Sequence, residues 1–288
     1  MIDHSVVIPT YNHAEFLPEA LNSVLTIGKN SEIILVNDGS TDNTATILAG
    51  FSGMRNIRVI NQVNKGAHAA LNIGISLAEG RYISILNDDD VFFENHLDYA
   101  LEILDQNISN FVVHRTEVFG KGERFEKLKD HVSRGDLIIN KYGLLPSLFK
   151  FNWSVSTSAF SFSRNLYENG LRFVNLKMNH DLDFLLSALF RFNARCSYSD
   201  IPTWKYRVHE RGTGNLVNAK RQKWELSYTL LRSLMSRKEE VNYSAALNLI
   251  DYDIEIEYLN SVFELLADRS YLENPDKFSD YLSSQLGI

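Results

Sequence analysis

The stretch EIILVNDGSTD, residues 32–42, joins a continuous apolar run to a turn that favours a following helix. Residues 32–37 are predicted to form a buried strand, because strands covered on both faces are apolar along their whole length. Residues 38–42 form a turn in which either Thr41 or Asp42 can cap the next helix. A strand, a turn and a helix in succession are the repeating unit of parallel α/β sheets.

The same alternation of short apolar strands and helices runs through the first 110 residues. Further buried strands are predicted at residues 5–9, 57–61 and 81–86, and helices at residues 13–27, 67–78 and 96–105. We therefore expect a mostly parallel sheet covered on both faces, with ligands bound beyond the carboxyl ends of its strands. The polar clusters that directly follow strands are expected to meet at that edge, and they lie at residues 10–12, 38–40 and 87–90.

The pattern changes after about residue 110. Longer strands are predicted at residues 111–119 and 154–163, separated by a charged, glycine-punctuated loop at residues 120–136. A helix at residues 181–192 and a strand at residues 203–208 follow. From about residue 216 onward the chain is predicted to be helical, as an appendage to the sheet domain.

Composition excludes several classes of protein. The chain has 288 residues, 44% of them hydrophobic, so it can bury a sizeable core. A net charge of −7 disfavours a general nucleic-acid binder. The single cysteine, Cys196, excludes an intrachain disulfide and a multi-cysteine zinc site. The opening residues lack the features of a signal peptide, and no apolar run approaches the roughly 20 residues that cross a bilayer. We expect a cytoplasmic protein, either soluble or peripheral at the inner face of the membrane.

Three consecutive aspartates, residues 88–90, stand between two apolar stretches in ILNDDDVFFEN. Buried carboxylates are costly unless a positive charge joins them. One interpretation is a solvated acidic turn that caps the helix beginning near Glu94. The other is a cation site, because carboxylate oxygens are the ligands that Mg²⁺ and Mn²⁺ prefer.

Six segments together resemble the inverting glycosyltransferases of family 2, in their order and their spacing: VVIPTYN, ILVNDGSTDNT, NKGAHAALNIGI, AEGRYISILNDDD, NHDLDFLLSAL and YRVHERG. The resemblance covers roughly residues 5–215. It implies a GT-A fold, which is an α/β fold with a Rossmann-like, mostly parallel central sheet flanked by helices. Residues 1–110 are then the nucleotide-binding half, residues 111–215 the acceptor half, and residues 216–288 a C-terminal helical region.

The same resemblance implies a donor site and a metal site. Thr10 is expected at the floor of the nucleobase pocket, and Asp38 on the base, usually uracil. Asp88 is expected near the ribose, and Asp89 on the metal, Mn²⁺ or Mg²⁺. Asn87 stands where the family commonly has its first aspartate, which leaves the division of roles between Asp88 and Asp89 open. The full donor-binding set is Pro9, Thr10, Tyr11, Asn12, Asp38, Asn64, Lys65, Gly66, Asp88 and Arg207.

Asp181 takes the place of the aspartate that activates the acceptor hydroxyl in this family, although His180 replaces the usual glutamate before it. The alternative for Asp181 is a helix N-cap, and Asp183 is expected to cap or pair. His209 is expected either to complete the metal shell or to lie in an exposed loop. Arg207 is expected at the donor phosphates, and residues 211–214 are expected to close over the donor as a lid.

The resemblance implies metal-dependent, inverting transfer of a hexosyl or N-acetylhexosaminyl group from a nucleotide-sugar, most commonly UDP-linked. The acceptor is expected to be a hydroxyl of a glycan or of a lipid-linked molecule, in surface polysaccharide biosynthesis. Two alternatives stay open at this point. One is a non-catalytic nucleotide-sugar or glycan-binding protein, which the change to His180 permits. The other is a nucleotidyltransferase, although the loop PTYNHAEF lacks the glycine-rich, basic character of that class.

Two further features suggest partners. Trp153 is a candidate for stacking on a sugar, and core packing is the alternative. Residues 216–240 carry a basic excess that can contact an anionic membrane, where a lipid-linked acceptor sits. The alternatives are a solvated helix face and a homodimer interface. The basic residues are Lys220, Arg221, Lys223, Arg232, Arg237 and Lys238.

Overall fold

The computed structural model describes residues 2–27, 30–153, 156–209, 219–236, 250, 254 and 256–286. The chain divides into two compact units, and each is assembled from three stretches of sequence. The first unit comprises Met1–Asp130, Ser154–Arg172 and Ala194–Val208, and the second comprises His131–Trp153, Phe173–Asn193 and His209–Ile288. The functional division that we expect at residues 110 and 215 stays a prediction.

The strands of the first unit form one sheet. They are β1 His4–Thr10, β2 Ser31–Asp38, β3 Ile57–Gln62, β4 Tyr82–Ile85, β5 Val91–Phe92, β6 Phe111–Phe119, β7 Phe160–Ser163 and β8 Cys196–Arg207. Their order across the sheet is β3-β2-β1-β4-β7-β6-β8-β5. Strands β1 to β4 are parallel, as predicted. Beyond β4 the sheet is mixed, since β7 is antiparallel to both β4 and β6 whereas β8 is parallel to β6.

The parallel half of the sheet forms because its central strands are apolar along their length. Every residue of β1 and β2 is buried, as expected for strands covered on both faces. The register sets Thr10 beside Asn37, and Asp38 beside Gln62. The carboxyl ends of β1, β2 and β3 therefore lie level, and the loops that follow them leave the sheet at one edge.

The helices of both units are, in chain order, α1 Leu17–Leu25, α2 Thr44–Ala49, α3 Ala67–Ser76, α4 His96–Asp105, α5 Glu123–Tyr142, α6 Leu144–Leu148, α7 Arg164–Glu168, α8 His180–Phe190, α9 Ala219–Met235, α10 Ile256–Ala267, α11 Arg269–Glu273 and α12 Pro275–Leu286. In α1 the buried residues follow helical spacing, at Leu17, Ala20, Leu21 and Val24. Helix α3 approaches β1 closely, because a Cβ atom at Gly74 would lie 2.4 Å from a methyl carbon of Val7.

The prediction of a loop at residues 120–136 was wrong, because this segment contributes most of α5. Its apolar residues Phe125, Leu128 and Val132 follow the three- and four-residue spacing of a helix, which the surrounding charges obscured. The glycine that suggested a loop, Gly135, is buried against Trp153, where a Cβ atom would lie 2.7 Å from the tryptophan Cβ. Gly135 therefore marks a close packing contact within the helix.

Two strands differ in length from their predictions. Strand β7 begins only at Phe160, because a 3₁₀ turn at Thr157–Ala159 precedes it. Residues 154 and 155, the start of the predicted strand, lie outside the described residues. Strand β8 begins at Cys196, seven residues before the predicted start at residue 203, and pairs with β6 along most of its length.

The second unit is helical wherever the structure describes it after residue 216, as predicted. Its core packs apolar residues of α9 to α12 against the chain before α8. The buried members are Leu176, Tyr228, Leu231, Leu259, Val262, Leu266, Leu272, Phe278 and Leu282. Within the described parts of the chain, no helix has the length and apolar character needed to span a bilayer.

Candidate active site

The loops that follow β1, β2 and β4 are tied together by hydrogen bonds at the carboxyl edge of the sheet. Asn12 adopts a left-handed conformation, with a φ of 56°, and its Oδ1 accepts the N–H of Thr41 at 2.7 Å. Its own N–H donates to the Ser40 hydroxyl at 3.0 Å. Tyr11 donates its N–H to the Asp88 carboxylate at 3.2 Å. The structure thus brings together the three polar clusters that the sequence placed at strand ends.

Asp38 ends β2 and holds the loop that follows β3. It is only 3% exposed. Its carboxylate accepts hydrogen bonds from Gln62 Nε2 at 2.6 Å and from the N–H groups of Lys65 and Gly66, each at 2.8 Å. Three bonds use most of the acceptor capacity of a carboxylate. Gly39 permits this close approach, because a Cβ atom there would lie 2.7 Å from the backbone nitrogen of Asn64.

Asp88 and His13 form a pair between the loops after β4 and β1. The Asp88 carboxylate is 5% exposed and lies 2.7 Å from His13 Nδ1. Burial raises the pKa of Asp88, and the hydrogen bond with His13 opposes that rise. Burial alone would lower the pKa of His13, but the hydrogen bond and the charge of Asp88 outweigh it, so this pKa is raised overall.

Asp90 is a buried residue whose hydrogen bonds stabilise the fold around the loop after β4. It is 1% exposed, and its carboxylate accepts from the hydroxyl of Ser158 at 2.7 Å and from the N–H of Arg207 at 3.1 Å. Burial, together with the nearby charge of Asp89, raises the pKa of Asp90 well above its usual value. This aspartate fastens the loop after β4 to the 3₁₀ turn and to the end of β8.

Asn87 forms hydrogen bonds with the same 3₁₀ turn, and these bonds explain why an asparagine stands where the family commonly has an aspartate. Its side-chain N–H donates to the Ser156 hydroxyl at 2.9 Å, and its Oδ1 accepts from the Thr157 hydroxyl at 2.9 Å. Its backbone N–H donates to the Ser158 hydroxyl at 2.9 Å. An aspartate has no side-chain N–H, so it cannot reproduce the bond that Asn87 donates.

Asp89 is the member of the trio whose side chain is only half-buried. Its backbone oxygen accepts from Arg207 Nε at 2.8 Å. The Arg207 guanidinium also pairs with Glu19 and lies over the rings of Phe16 and Phe119, 5.1 and 4.4 Å from their centroids. Arg207 therefore braces the acidic loop, and its expected contact with donor phosphates stays a prediction.

His13 is a site residue that sequence reasoning missed. An imidazole nitrogen of His13 and a carboxylate oxygen of Asp89 lie within 4.8 Å of each other, close enough for both to bind one metal ion. The signal was present in the sequence, because a histidine stands three residues after the strand end at Thr10.

The remaining donor-site candidates lie along the same edge. Pro9 and Thr10 are the last two residues of β1 and are buried, and Tyr11 after them is 44% exposed. Asn64 and Lys65 are exposed. Gly66 caps α3 with a φ of 90°, a conformation that favours glycine. The contacts of these residues with a donor stay predictions.

Asp181 lies in the second unit, as the second residue of α8. The helix N-cap is Asn179, so the alternative role of Asp181 as N-cap is excluded. The half-buried carboxylate accepts the N–H of Leu182 at 2.8 Å, and burial raises its pKa against the opposing charge of His180. Asp183 is fully buried and pairs with Arg232, which confirms the expectation that it pairs.

His209 is the first residue of the third stretch of the second unit, two positions after β8 ends at Arg207. Its expected metal contact stays a prediction. The expected lid at residues 211–214 lies outside the described residues.

Two expectations about partners need correction. Trp153 is 6% exposed and donates its indole N–H to the Ser147 hydroxyl at 2.7 Å, so it is a core residue and does not offer a face to a sugar. Arg221 and Arg232 were placed on a basic face, but both are buried in ion pairs with Glu225 and Asp183. Arg237 and Lys238 lie outside the described residues. The basic face is thus smaller than the sequence suggested.

Comparison with known proteins gives a family match over most of the first unit. The family model described as "Glycosyl transferase family 2" matches residues 5–171. An uncharacterised glycosyltransferase of Rickettsia conorii is 34% identical over 137 residues, which is 46% of this chain and 22% of that protein. The glycosyltransferase GlyG of Streptococcus pneumoniae is 41% identical over 112 residues, 38% of this chain and 37% of that protein. The chain thus spans between about a fifth and two fifths of these relatives.

Solved structures show the same fold. TarS of Staphylococcus aureus, residues 1–349 in complex with UDP-GlcNAc, superposes with a TM-score of 0.66 at 20% identity and covers 91% of this chain and 73% of that one. The mannosyltransferase PcManGT of Pyrobaculum calidifontis, in complex with GDP-Man and Mn²⁺, gives a TM-score of 0.63 at 16% identity, over 97% and 80% of the two chains. The predicted GT-A fold is confirmed.

Proposed function

The chain belongs to glycosyl transferase family 2, and from this premise we propose that it moves a sugar from a nucleotide-sugar to a hydroxyl of a glycan or lipid-linked acceptor. The observation that carries the proposal is the joining of the loops after β1, β2 and β4 at one sheet edge, with Asp38, Asp88 and Asp89 among them. Ligands of parallel α/β sheets bind beyond this edge. A role in surface polysaccharide biosynthesis is part of the proposal.

The donor nucleotide is proposed to be UDP. The support is the family resemblance at Asp38 and the presence of UDP-GlcNAc in the TarS complex. Asp38 holds the loop at residues 62–66 in place through three hydrogen bonds. A loop that is already ordered before the donor binds lowers the ordering cost of binding.

A divalent ion is proposed to bind at Asp89 and His13, with His209 as a further candidate ligand. The donor set fits Mn²⁺ better than Mg²⁺, because an imidazole nitrogen joins the carboxylate oxygen. Asp88 accepts a hydrogen bond from the Nδ1–H of His13 in the tautomer that leaves the lone pair on Nε2, and a carboxylate behind a histidine is a common support for metal ligands. When bound, such an ion supplies positive charge that stabilises the departing nucleoside diphosphate.

Asp181 is proposed as the base that removes the proton of the acceptor hydroxyl, in a single displacement that inverts the anomeric centre. A carboxylate whose pKa is raised by burial holds a proton more strongly, so it accepts one more readily than an ordinary aspartate does. The proton then resides on Asp181, and the bond to the nucleoside diphosphate breaks as the bond to the acceptor oxygen forms. No covalent enzyme intermediate is needed.

Thermal unfolding with a panel of nucleotide-sugars tests the donor proposal. The protein would be heated with UDP-GlcNAc, UDP-glucose or GDP-mannose, each with and without Mn²⁺. We expect the UDP-sugars to raise the melting temperature, and to do so only with Mn²⁺, since a ligand that binds the native state stabilises it. A rise in melting temperature with GDP-mannose but with neither UDP-sugar would reject the choice of UDP. The absence of any stabilisation would reject the nucleotide-sugar proposal.

A non-catalytic nucleotide-sugar-binding protein is the alternative that one observation favours, the replacement of glutamate by His180 before Asp181. Release of UDP from a stabilising UDP-sugar distinguishes the two. A transferase hydrolyses its donor slowly in the absence of acceptor, whereas a binding protein leaves the donor intact over the same period.

A further inference from the structure

Three backbone N–H groups immediately before α8 converge on one buried carboxylate. Glu225 accepts the N–H of Lys177 at 3.0 Å, that of Met178 at 2.7 Å and that of Asn179 at 3.3 Å. Asn179 is the N-cap of α8, and Asp181 lies two residues later. The chain that leads into the helix of the proposed base is therefore fixed from outside the helix.

The carboxylate comes from α9, which lies in the C-terminal part of the chain. Glu225 is 0% exposed, and Arg221 donates its Nε–H to it at 2.8 Å from one helical turn before. The negative charge is thus paired, as a fully buried carboxylate requires. It also faces the amino-terminal end of α8, where a helix dipole favours negative charge.

A second contact ties α9 to α8 on the other side of Asp181. Arg232 places one guanidinium nitrogen 2.7 and 2.8 Å from the two oxygens of Asp183, and both side chains are buried. Helix α9 therefore holds the segment before α8 at residues 177–179 and α8 itself at residue 183, with Asp181 between the two anchors.

Buried ion pairs add little net stability compared with apolar residues of similar size, but breaking one is costly and their geometry is strict. The contacts of Glu225 and Arg232 therefore fix the chain on both sides of Asp181. A general base must lie within hydrogen-bond reach of the proton that it removes, and a displacement of about 1 Å can lower a rate by about a hundredfold.

We propose that Glu225 is a positioning residue that fixes the first turn of α8, and with it the carboxylate of Asp181, with Arg232 as the second anchor. The inference rests on the proposed function, since it takes Asp181 as the base. It gives α9 a part in the reaction.

The test compares two variants of the same helix. Glu225→Gln removes the charge and part of the acceptor capacity that the three N–H groups use. Tyr228→Phe removes a different buried hydrogen bond of α9, from the Tyr228 hydroxyl to the backbone oxygen of Tyr271 at 2.8 Å, and leaves residues 177–179 untouched. Both variants change a buried hydrogen-bonding side chain of α9, so a general loss of stability affects both.

Amide hydrogen exchange is the first readout and needs no substrate. We expect exchange at residues 177–179 to become at least tenfold faster in Glu225→Gln and to stay unchanged in Tyr228→Phe. The second readout is the release of UDP from UDP-GlcNAc with Mn²⁺. We expect kcat to fall at least tenfold in Glu225→Gln, with the donor KM within twofold of the wild-type value.

The pH dependence of UDP release supplies a readout that a purely structural contact would not move. Burial is the main cause of the raised pKa of Asp181, the charge of His180 opposes the rise, and the charge of Glu225 adds to it. Removing the Glu225 charge should therefore shift the acidic limb of the profile to lower pH. Should Glu225→Gln fail to fold, Arg221→Lys keeps the positive charge beside Glu225 but loses the Nε–H bond, and it is expected to produce smaller changes in amide exchange and in kcat, in the same direction.

Exchange at residues 177–179 that is equal in Glu225→Gln and Tyr228→Phe, or an unchanged kcat in Glu225→Gln, would overturn the positioning role. Asp181→Asn separates this failure from a failure of the proposed function. Full UDP release by Asp181→Asn would reject the base and the positioning role together. Loss of release in Asp181→Asn, with full release in Glu225→Gln, would reject the positioning role alone.

Discussion

Nδ1 of His13 lies 2.7 Å from a carboxylate oxygen of Asp88, and this contact joins the loop after β1 to the loop after β4. The bond orients the imidazole beside Asp89, the half-buried aspartate of the trio. The three aspartates at residues 88–90 therefore have three different roles. Asp88 supports His13, Asp89 is proposed to bind the metal, and Asp90 holds the surrounding backbone.

Replacing His13 should weaken metal binding without unfolding the protein. His13→Gln removes the proposed nitrogen ligand, and Asp88→Asn removes its support. Loss of a supporting carboxylate typically costs about 10- to 100-fold in metal affinity. We expect a fall in Mn²⁺ affinity of that size for each variant, measured from the spin-resonance signal of free Mn²⁺ in the presence of UDP. Wild-type affinity in His13→Gln would remove this residue from the metal site.

Gly39→Ala should weaken donor binding by displacing the loop at residues 62–66. A Cβ atom there would lie 2.7 Å from the Asn64 nitrogen, at a residue with a φ of 74°. Gly53→Ala is the matched control, because its φ is 98° and a Cβ atom would meet nothing within 4 Å. Both variants carry the backbone cost of about 1–2 kcal/mol for a left-handed residue.

Calorimetric titration with UDP and Mn²⁺ checks this comparison. We expect an affinity at least tenfold weaker in Gly39→Ala and an unchanged affinity in Gly53→Ala. Equal affinities in the two variants would show that the close approach of Gly39 to Asn64 has no part in donor binding.

Acid should destabilise the protein through buried histidines. His4, His96 and His114 are buried and linked by hydrogen bonds that run through Thr203, Ser161 and Ser84. Burial lowers the pKa of His4 from 6.5 to about 4 and that of His114 to about 3, and it lowers the pKa of His96 well below its usual value. The folded protein thus keeps these histidines neutral at pH values where the unfolded chain protonates them.

Because the unfolded state binds more protons below pH 6.5, the free energy of unfolding should fall as pH drops from 6.5 toward 4. Each buried histidine contributes a slope of about 1.4 kcal/mol per pH unit in this window. The raised pKa values of Asp88 and Asp90 act in the opposite direction. Urea unfolding at several pH values should therefore show that the free energy of unfolding depends less steeply on pH in His114→Gln than in the wild type. The slope should fall by the contribution of one histidine, about 1.4 kcal/mol per pH unit. An identical slope would contradict this explanation.

Asp181→Asn should abolish UDP release and sugar transfer while donor affinity stays within about twofold of the wild type. An asparagine of nearly the same shape cannot take the acceptor proton. The control measurement is UDP affinity by calorimetry, since a general loss of structure would weaken binding as well. Turnover at the wild-type rate in this variant would show that another residue is the base.

Sequence patterns predicted the parts of the fold that follow local rules. The parallel strands β1 to β4 were found because short apolar runs alternate with helical patterns in the sequence, and the site edge followed from the polar residues at the ends of these strands. Helix α5 was missed because its charges and Gly135 concealed a helical spacing, and only the contact with Trp153 explains that glycine.

The roles within the site depended on contacts between distant parts of the chain. Asp90 meets Ser158 across 68 residues, and Glu225 meets the segment before α8 across at least 46. Residue spacing does not reveal such pairs, because they arise when separate elements pack. Asn87 illustrates the same limit, since its departure from aspartate is explained only by the hydroxyl groups of Ser156 and Thr157.

The most direct test of the account is calorimetric titration of UDP into the protein with and without Mn²⁺, in the wild type, in Asp89→Asn and in Asp42→Asn. Asp42 is an acidic residue of the neighbouring loop whose carboxylate accepts N–H groups of Ala14 and Thr44, so its variant controls for the loss of one charge. We predict that UDP binds only with Mn²⁺, that Asp89→Asn weakens binding at least tenfold, and that Asp42→Asn binds as the wild type does. Equal UDP binding with and without Mn²⁺, or wild-type binding by Asp89→Asn, would contradict the account.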